Sequence, residues 1–217
     1  DIVLCESPPL FLGISAYRLA KKKKAKFIFN VSDLWPESAE KLGIVKNKFF
    51  LKLATILEEY LYKKAALITG QTKGITKNIS GRFPNKKVHW LPNGVDLNFY
   101  NPNNFSKEWR IQNKFNDDDV LFFYGGIIGY AQGLEVIIYT AQELKNNSNV
   151  KFIILGSGPE KEKLLALKEK LKLENVFFMS PVSKAQMPSI ISSIDCSIIP
   201  LKKLDLFLGA IPSKIFE

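Results

Sequence analysis

Hydrophobic positions change period repeatedly along the 217 residues. Short apolar runs alternate with stretches whose apolar residues recur three and four apart, the marks of strands and amphipathic helices. In the first half this pattern predicts strands at 1–5, 26–32, 66–70 and 88–91. Helices are predicted at 10–24 and 48–64, with a shorter one after residue 70. Segment 48–64 carries Phe49, Leu53, Ile56, Leu57 and Tyr60 on one side, as an amphipathic helix would. In the second half strands are predicted at 120–124, 151–155, 176–180 and 196–201, and helices near 133–146, 159–172 and 184–193. Such alternation implies parallel sheets covered on both faces. Residues 96–119 are rich in Asn, Asp and Pro and show no period, which reads as a linker. The expected architecture is α/β: two Rossmann-like, doubly wound halves, 1–95 and 120–217, joined by a linker at 96–119.

The stretch VLFFYGGIIGYAQGLEVIIYTA (120–141) tests this reading, because its apolar length also suits a membrane span. Its period switches from strand to helix inside the stretch, and a spanning helix would keep one period. Glu135 at mid-span would cost about 2.5–3.5 kcal/mol on an insertion scale. A strand, a glycine loop and a helix are expected, with the loop at the carboxyl end of a strand, where open α/β sheets bind ligands.

Charge sharpens the division. Residues 1–95 hold 17 Lys and Arg against 7 Asp and Glu, while residues 96–217 hold 14 of each. The whole net charge of +10 therefore lies in the first half, which suggests that this half faces something anionic. Cys5 and Cys196 lie in separate apolar runs, giving no disulfide framework and pointing to a reducing cytosol. The start, DIVLCESPP, lacks the basic and apolar regions of a signal peptide. It begins inside a strand, and the last residues, GAIPSKIFE, read as a helix just starting. Material is expected beyond both ends.

Several loops could carry chemistry. A glycine loop feeding a helix can bind a phosphate or serve as a tight turn. The loop at 125–133 matches neither the dinucleotide fingerprint nor a P-loop. The second loop, ILGSGPEKEKL, fills its helix start with Glu160 and Glu162 and reads as structural. NDDDV precedes its strand and reads as a solvated turn. His89, the single histidine, reads as a packing residue. Asp33 follows the second strand at its carboxyl end, where a carboxylate can bind hydroxyls or act as a base; capping a turn is the equal alternative. Lys214 opposes a helix dipole at the chain's end, a placement that becomes sensible where an anion binds.

Taken together these loops resemble the family-4 glycosyltransferases of GT-B fold, in particular those that build bacterial capsule, O-antigen or colanic-acid-type polysaccharides. The likeness rests on SDLWPES (32–38), LPNGVD (91–96), YGGIIGYAQGLE (124–135), ILGSGPEKEKL (155–165), FMSPVSKAQMPSIISSID (178–195) and IPSKIFE (211–217). These stand in the family's order and span almost the whole chain. The resemblance implies sugar transfer from a UDP- or GDP-linked donor, with retention at the anomeric carbon, no metal and no cofactor beyond the co-substrate. It implies that Gly126 and Gly129 approach the diphosphate, that Ser213 and Lys214 neutralise it, and that Glu217 binds the ribose. Pro181, Val182 and Ser183 would flank the base. Asp33 and Lys214 would be the catalytic residues. The chain departs from the family in three places: Gly209 stands where a first motif glutamate is common, and Ile127 and Gln132 stand where the loop often carries Arg and Lys.

The resemblance also implies a lipid-linked saccharide acceptor and an enzyme on the inner face of the cell membrane. Residues 1–95 would then meet an anionic membrane surface, with KLGIVKNKFFLKL (41–53) as an interfacial segment; an ordinary core helix with a solvated lysine face is the alternative. Two other functions compete. A UDP-sugar 2-epimerase of the same architecture would want histidine and further acids in its cleft. A basic, non-catalytic nucleic-acid module would want a recognition motif that the first half lacks; no nucleic-acid partner is expected.

Overall fold

The computed structural model describes residues 1–101 and 108–217. The chain separates into two compact units, Asp1–Gly94 with Lys203–Ile211, and Val95–Lys202 with Pro212–Glu217.

The first unit alternates strands with helices, two of them between β2 and β3: β1 (Ile2–Ser7), α1 (Leu12–Lys22), β2 (Lys26–Val31), α2 (Glu37–Lys41), α3 (Lys48–Lys64), β3 (Leu67–Gly70), α4 (Lys73–Arg82) and β4 (Val88–Trp90). The four strands form one parallel sheet in sequential order, β1-β2-β3-β4. Asn47 starts α3 by accepting from the Phe49 and Phe50 amides, and Thr72 starts α4 by accepting from the Ile75 amide. Both are side-chain caps that satisfy otherwise orphaned helix donors.

One face of this sheet is a core of Cys5, Phe27, Phe29, Val31 and Ile68, packed under Ala20, Ala54, Leu61 and Ile79 of the helices. The opposite face differs from expectation. Ile2 and Leu4 are exposed there, and polar Asn30 and Thr69 bond across neighbouring strands at 2.7 Å. Thr69 is nonetheless buried there, and among the described residues the apolar core cluster lies on the first face. His89 also departs from its reading, being exposed on β4.

Helix α3 matches its predicted span, but of the five apolar residues on the expected side only Leu57 packs against the core cluster. Leu51, Ala54, Glu58, Leu61 and Tyr62 face the core, whereas Phe49, Leu53, Ile56 and Tyr60 are exposed, from 44% for Tyr60 to 72% for Phe49. The cause is Glu58, which is buried on the core face through a two-pronged pair with Arg82 of α4, at 3.1 and 2.5 Å. A paired carboxylate can occupy a core position that periodicity reserves for apolar residues.

The second unit holds α5 (Glu108–Gln112), β5 (Val120–Gly125), α6 (Glu135–Glu143), β6 (Val150–Leu155), α7 (Lys161–Leu171), β7 (Val176–Met179), α8 (Met187–Ile191) and β8 (Cys196–Ser197). Part of the expected linker is helical as α5; residues 102–107 of it lie outside the described residues. The ambiguous stretch 120–141 is strand, loop and helix, as its change of period requires. Among the described residues no helix is long and apolar enough to cross a membrane.

This sheet is parallel, in the order β7-β6-β5-β8, and it is covered on both faces. Tyr124, Phe152 and Ile154 point into one core with Ile137, Ile138 and Leu164. Leu121, Phe123, Ile153 and Leu155 point into the other with Phe115 and Ile190. The alternation is the two-residue period of a strand buried on both sides. Each such side chain contributes about 1.5–3 kcal/mol by leaving water. Buried Arg110 of α5 joins the pieces: it donates to the carbonyls of Asn116, Asp117, Asp119 and Ser193 and pairs with Asp195 at 2.7 Å.

Candidate functional site

In the second unit β5 pairs with β6 on one side and with β8 on the other, so the strand order reverses at β5. A parallel sheet opens a crevice at the carboxyl end of such a reversal, because the two following loops leave in opposite directions. A hollow of about 520 Å³ lies there. Gly126, Pro181, Val182, Ser213, Lys214 and Glu217 all line it. A smaller recess beside it is lined by Gly125, Ser197, Ile198 and again Lys214 and Glu217.

The lower surface of the hollow is made of backbone. The Gly126 amide donates to the Leu155 carbonyl at 2.9 Å, and the Ile128 amide donates to the Ser157 carbonyl at 2.8 Å. These bonds lay the two glycine loops against each other. Gly156 has φ +150°, and a Cβ there would overlap the Gly126 carbonyl oxygen. Only glycine meets both conditions. The second glycine loop is thus structural, as its acidic helix start suggested, but Leu155, Gly156 and Ser157 also line the hollow.

Lys214 lies where the loops converge. Its Nζ donates to the Gly125 carbonyl at 2.8 Å and sits 4.3 Å from the centre of the Tyr124 ring. Tyr124 is itself fixed, its hydroxyl donating to the Ile127 carbonyl at 2.5 Å. Burial lowers the Lys214 pKa from its ordinary value, partly offset by the charge of Glu217. Gly126 has φ +140°, and a Cβ on it would stand 2.5 Å from this Nζ. The bare glycine is what lets the ammonium approach the loop.

Three expected contributions change. Gly129 does not line the hollow. The Gly126 amide is engaged by Leu155 and is not offered to an anion. Ser183 is also absent from the lining, because its hydroxyl and amide both bond the Gln186 side chain, at 2.9 and 3.1 Å, and brace a 3-10 turn over Lys184–Gln186. Ser213 opens a 3-10 turn, Ser213–Phe216, preceded by Pro212, and lines the hollow.

The lining residues that sequence reasoning missed include Tyr100 and Lys184. Asp96 folds the chain into a turn, its carboxylate and carbonyl accepting from the Asn98, Phe99 and Tyr100 amides. Tyr100 is thereby delivered to the hollow. Burial, then the charge of Glu217 and a hydrogen bond to it, raise the Tyr100 phenol above its ordinary range. A segment without hydrophobic period gave no sign of this.

In the first unit Asp33 follows β2, and its Oδ2 accepts from the Ser38 hydroxyl at 2.7 Å. Nearby strand ends carry a polar chain. Ser32 donates to Glu6, Gln71 donates to Ser32 at 2.8 Å, and Asn93 donates to Gln71 at 3.3 Å. All sit at or just beyond the carboxyl ends of β1 to β4. Gly209 packs in this unit against Gly74, and a Cβ on it would stand 2.8 Å from the Gly74 Cα. A glutamate at 209 has no room without moving α4, which accounts for the departure noted in the sequence.

Two parallel α/β units, the second with a hollow at its switch point, define a Rossmann-like architecture. Residues 105–214 match the family described as glycosyl transferases group 1, and the chain belongs to that family. It is 24% identical over 221 residues to WcaI of Escherichia coli strain K12, a glycosyl transferase named for colanic acid biosynthesis. That match covers 99% of this chain and 54% of WcaI. In fold the chain is similar to the sucrose-phosphate synthase of Thermosynechococcus elongatus, with a TM-score of 0.73 at 13% identity, over 92% of this chain and 50% of that one. It is also similar to Anabaena HepE, solved with UDP-glucose, with a TM-score of 0.69 at 14% identity, over 92% and 53% of the two chains. The fold is the α/β, parallel-sheet architecture of GT-B glycosyltransferases. The chain spans about half the length of the relatives it matches.

Proposed function

We propose that this chain belongs to a retaining glycosyltransferase of surface-polysaccharide synthesis, which moves a sugar from a nucleoside-diphosphate donor to a lipid-linked saccharide. Residues 120–217 supply the donor side and residues 1–95 the acceptor side. The observation that carries the reading is the Lys214 ammonium held on the Gly125 carbonyl beside side-chain-free Gly126, inside a switch-point hollow.

In the reaction the bond between the anomeric carbon and the diphosphate breaks, and the nucleoside diphosphate leaves with the electron pair. The acceptor oxygen bonds the anomeric carbon on the same face. Lys214 meets the charge growing on the leaving diphosphate, the point at which fixed cations lower a barrier most. Ser213 adds a hydroxyl donor, Glu217 accepts from the ribose, and Pro181 and Val182 flank the base. Asp33, oriented by Ser38, takes the acceptor proton. Charge neutralisation is assigned to lysine and not to a divalent ion, and no cofactor is used besides the donor. The name of WcaI supports the polysaccharide setting, and the UDP-glucose complex of HepE supports the donor class. A lipid-linked acceptor places the enzyme on the cytoplasmic face of the membrane, with the basic first unit against it.

A thermal-shift comparison of UDP and GDP on the full-length protein tests the reading. One of the two is expected to stabilise, by about 2.7 kcal/mol at a hundredfold excess over its Kd. Stabilisation by neither overturns the donor assignment.

A further inference from the structure

The donor hollow has less main-chain help for a diphosphate than its glycine loops suggest. The Gly126 and Ile128 amides are bonded to Leu155 and Ser157. Residues 125–133 contain no Lys or Arg. The first turn of α6 carries Glu135, already paired with Lys163 at 2.6 Å. Glu217 in the lining is itself anionic. A nucleoside diphosphate brings two phosphate groups, and Lys214 is a single ammonium whose burial already disfavours its charge.

Among the described residues one other cation lines the hollow, Lys184. It opens the 3-10 turn that Ser183 and Gln186 brace, two residues past Val182. Its Nζ stands 6.0 Å from the centre of the Phe99 ring. Phe99 is held by the Asp96 turn and packs edge-on against Tyr100, at 5.0 Å and 89°. The aromatic face gives the exposed lysine a resting place at the rim.

We infer that Lys184, seated on Phe99, is the second cation of the donor site and meets the nucleoside diphosphate at the rim while Lys214 meets it in the depth. This rests on the donor reading above. It supplies the charge that the glycine loop lacks, and it makes residues 96–100 a wall of the site and not a connector alone. Lys184 is exposed, so its ammonium is open to a ligand arriving from solvent. Its attraction then adds to affinity in a salt-dependent way.

The test measures nucleoside and nucleoside-diphosphate affinities by calorimetry for the unchanged protein, Lys184→Met and Lys184→Arg, using uridine with UDP and guanosine with GDP. The Met variant should weaken the preferred diphosphate about tenfold, flatten its salt dependence and leave the nucleoside within twofold. The Arg variant should restore most of the loss. Equal diphosphate affinity in the Met variant and the unchanged protein overturns the Lys184 assignment and leaves the donor reading standing. Equal losses for nucleoside and diphosphate also overturn it, because they assign Lys184 to the base. If the unchanged protein binds neither diphosphate, the donor reading fails and this inference with it.

Discussion

The Lys214 ammonium lies between the Gly125 carbonyl and the Tyr124 ring, in a place where burial depresses its pKa. A lysine whose pKa falls on folding binds fewer protons in the native than in the unfolded state between the two values. Its contribution to stability therefore rises with pH through that window and is most unfavourable below it. Ligand binding runs the other way, since a diphosphate needs the charged form. Nucleoside-diphosphate affinity should decline on the alkaline side before the ordinary lysine range is reached. Lys214→Arg should remove the decline, because guanidinium does not titrate there. Affinities measured from pH 7 to 10 check this. An unchanged alkaline limb in the Arg variant would assign the titration to another group.

Between elements, the joint of α3 with α4 is the most exposed to mutation. Arg82→Met would leave Glu58 buried without its cation, held only by Tyr62, whose phenol is pushed far above its ordinary range by burial, then by the Glu58 charge and a hydrogen bond to it. The loss should be about 3 kcal/mol, at the low end for a broken buried pair because Arg82 is partly in water. Urea denaturation at pH 7 measures it, and a change below about 1 kcal/mol would show that the pair is solvated. The same joint shows what the sequence made legible. Strand and helix positions followed from period alone, and α3 was readable to its end residues. Its buried face was not, because Glu58 looks like a solvent residue until Arg82, 24 positions away, is known to meet it. In the site, Gly126 was legible from a loop at the carboxyl end of a strand and Lys214 from its charge opposed to a helix dipole, while Glu217 was legible only through the motif resemblance. Tyr100 and Lys184 were not: one sits in a segment without period, the other among residues read as a plain helix. Gly129 and Ser183 were read from motif position, and local hydrogen bonding put Ser183 to another use.

At the scale of the whole molecule the charge and the exposed carbon coincide in one unit. Through Gly94 the first unit holds 17 basic and 7 acidic residues, and Lys203 and Asp205 cancel, leaving +10. The same unit exposes the Phe49, Leu53, Ile56 and Tyr60 stripe, with Lys48 and Lys52 beside it. An apolar stripe edged by lysines suits an anionic lipid surface, where each lysine contributes about 1 kcal/mol. The protein should co-sediment with phosphatidylglycerol vesicles at low salt and much less with phosphatidylcholine. Replacing Phe49, Leu53 and Ile56 together by Ser should weaken that binding at least about tenfold while leaving nucleotide binding intact. Binding unaffected by the triple change would move the contact elsewhere on the unit.

Gly156 pressed on the Gly126 carbonyl has a consequence for how such proteins diversify. A floor written in main chain keeps its form whatever side chains flank it, so it fixes the depth of the hollow and discriminates among no ligands. Relatives that differ in base or sugar would then diverge at the walls, around positions 100, 181, 182, 184 and 217, over a foundation that drift cannot easily redraw.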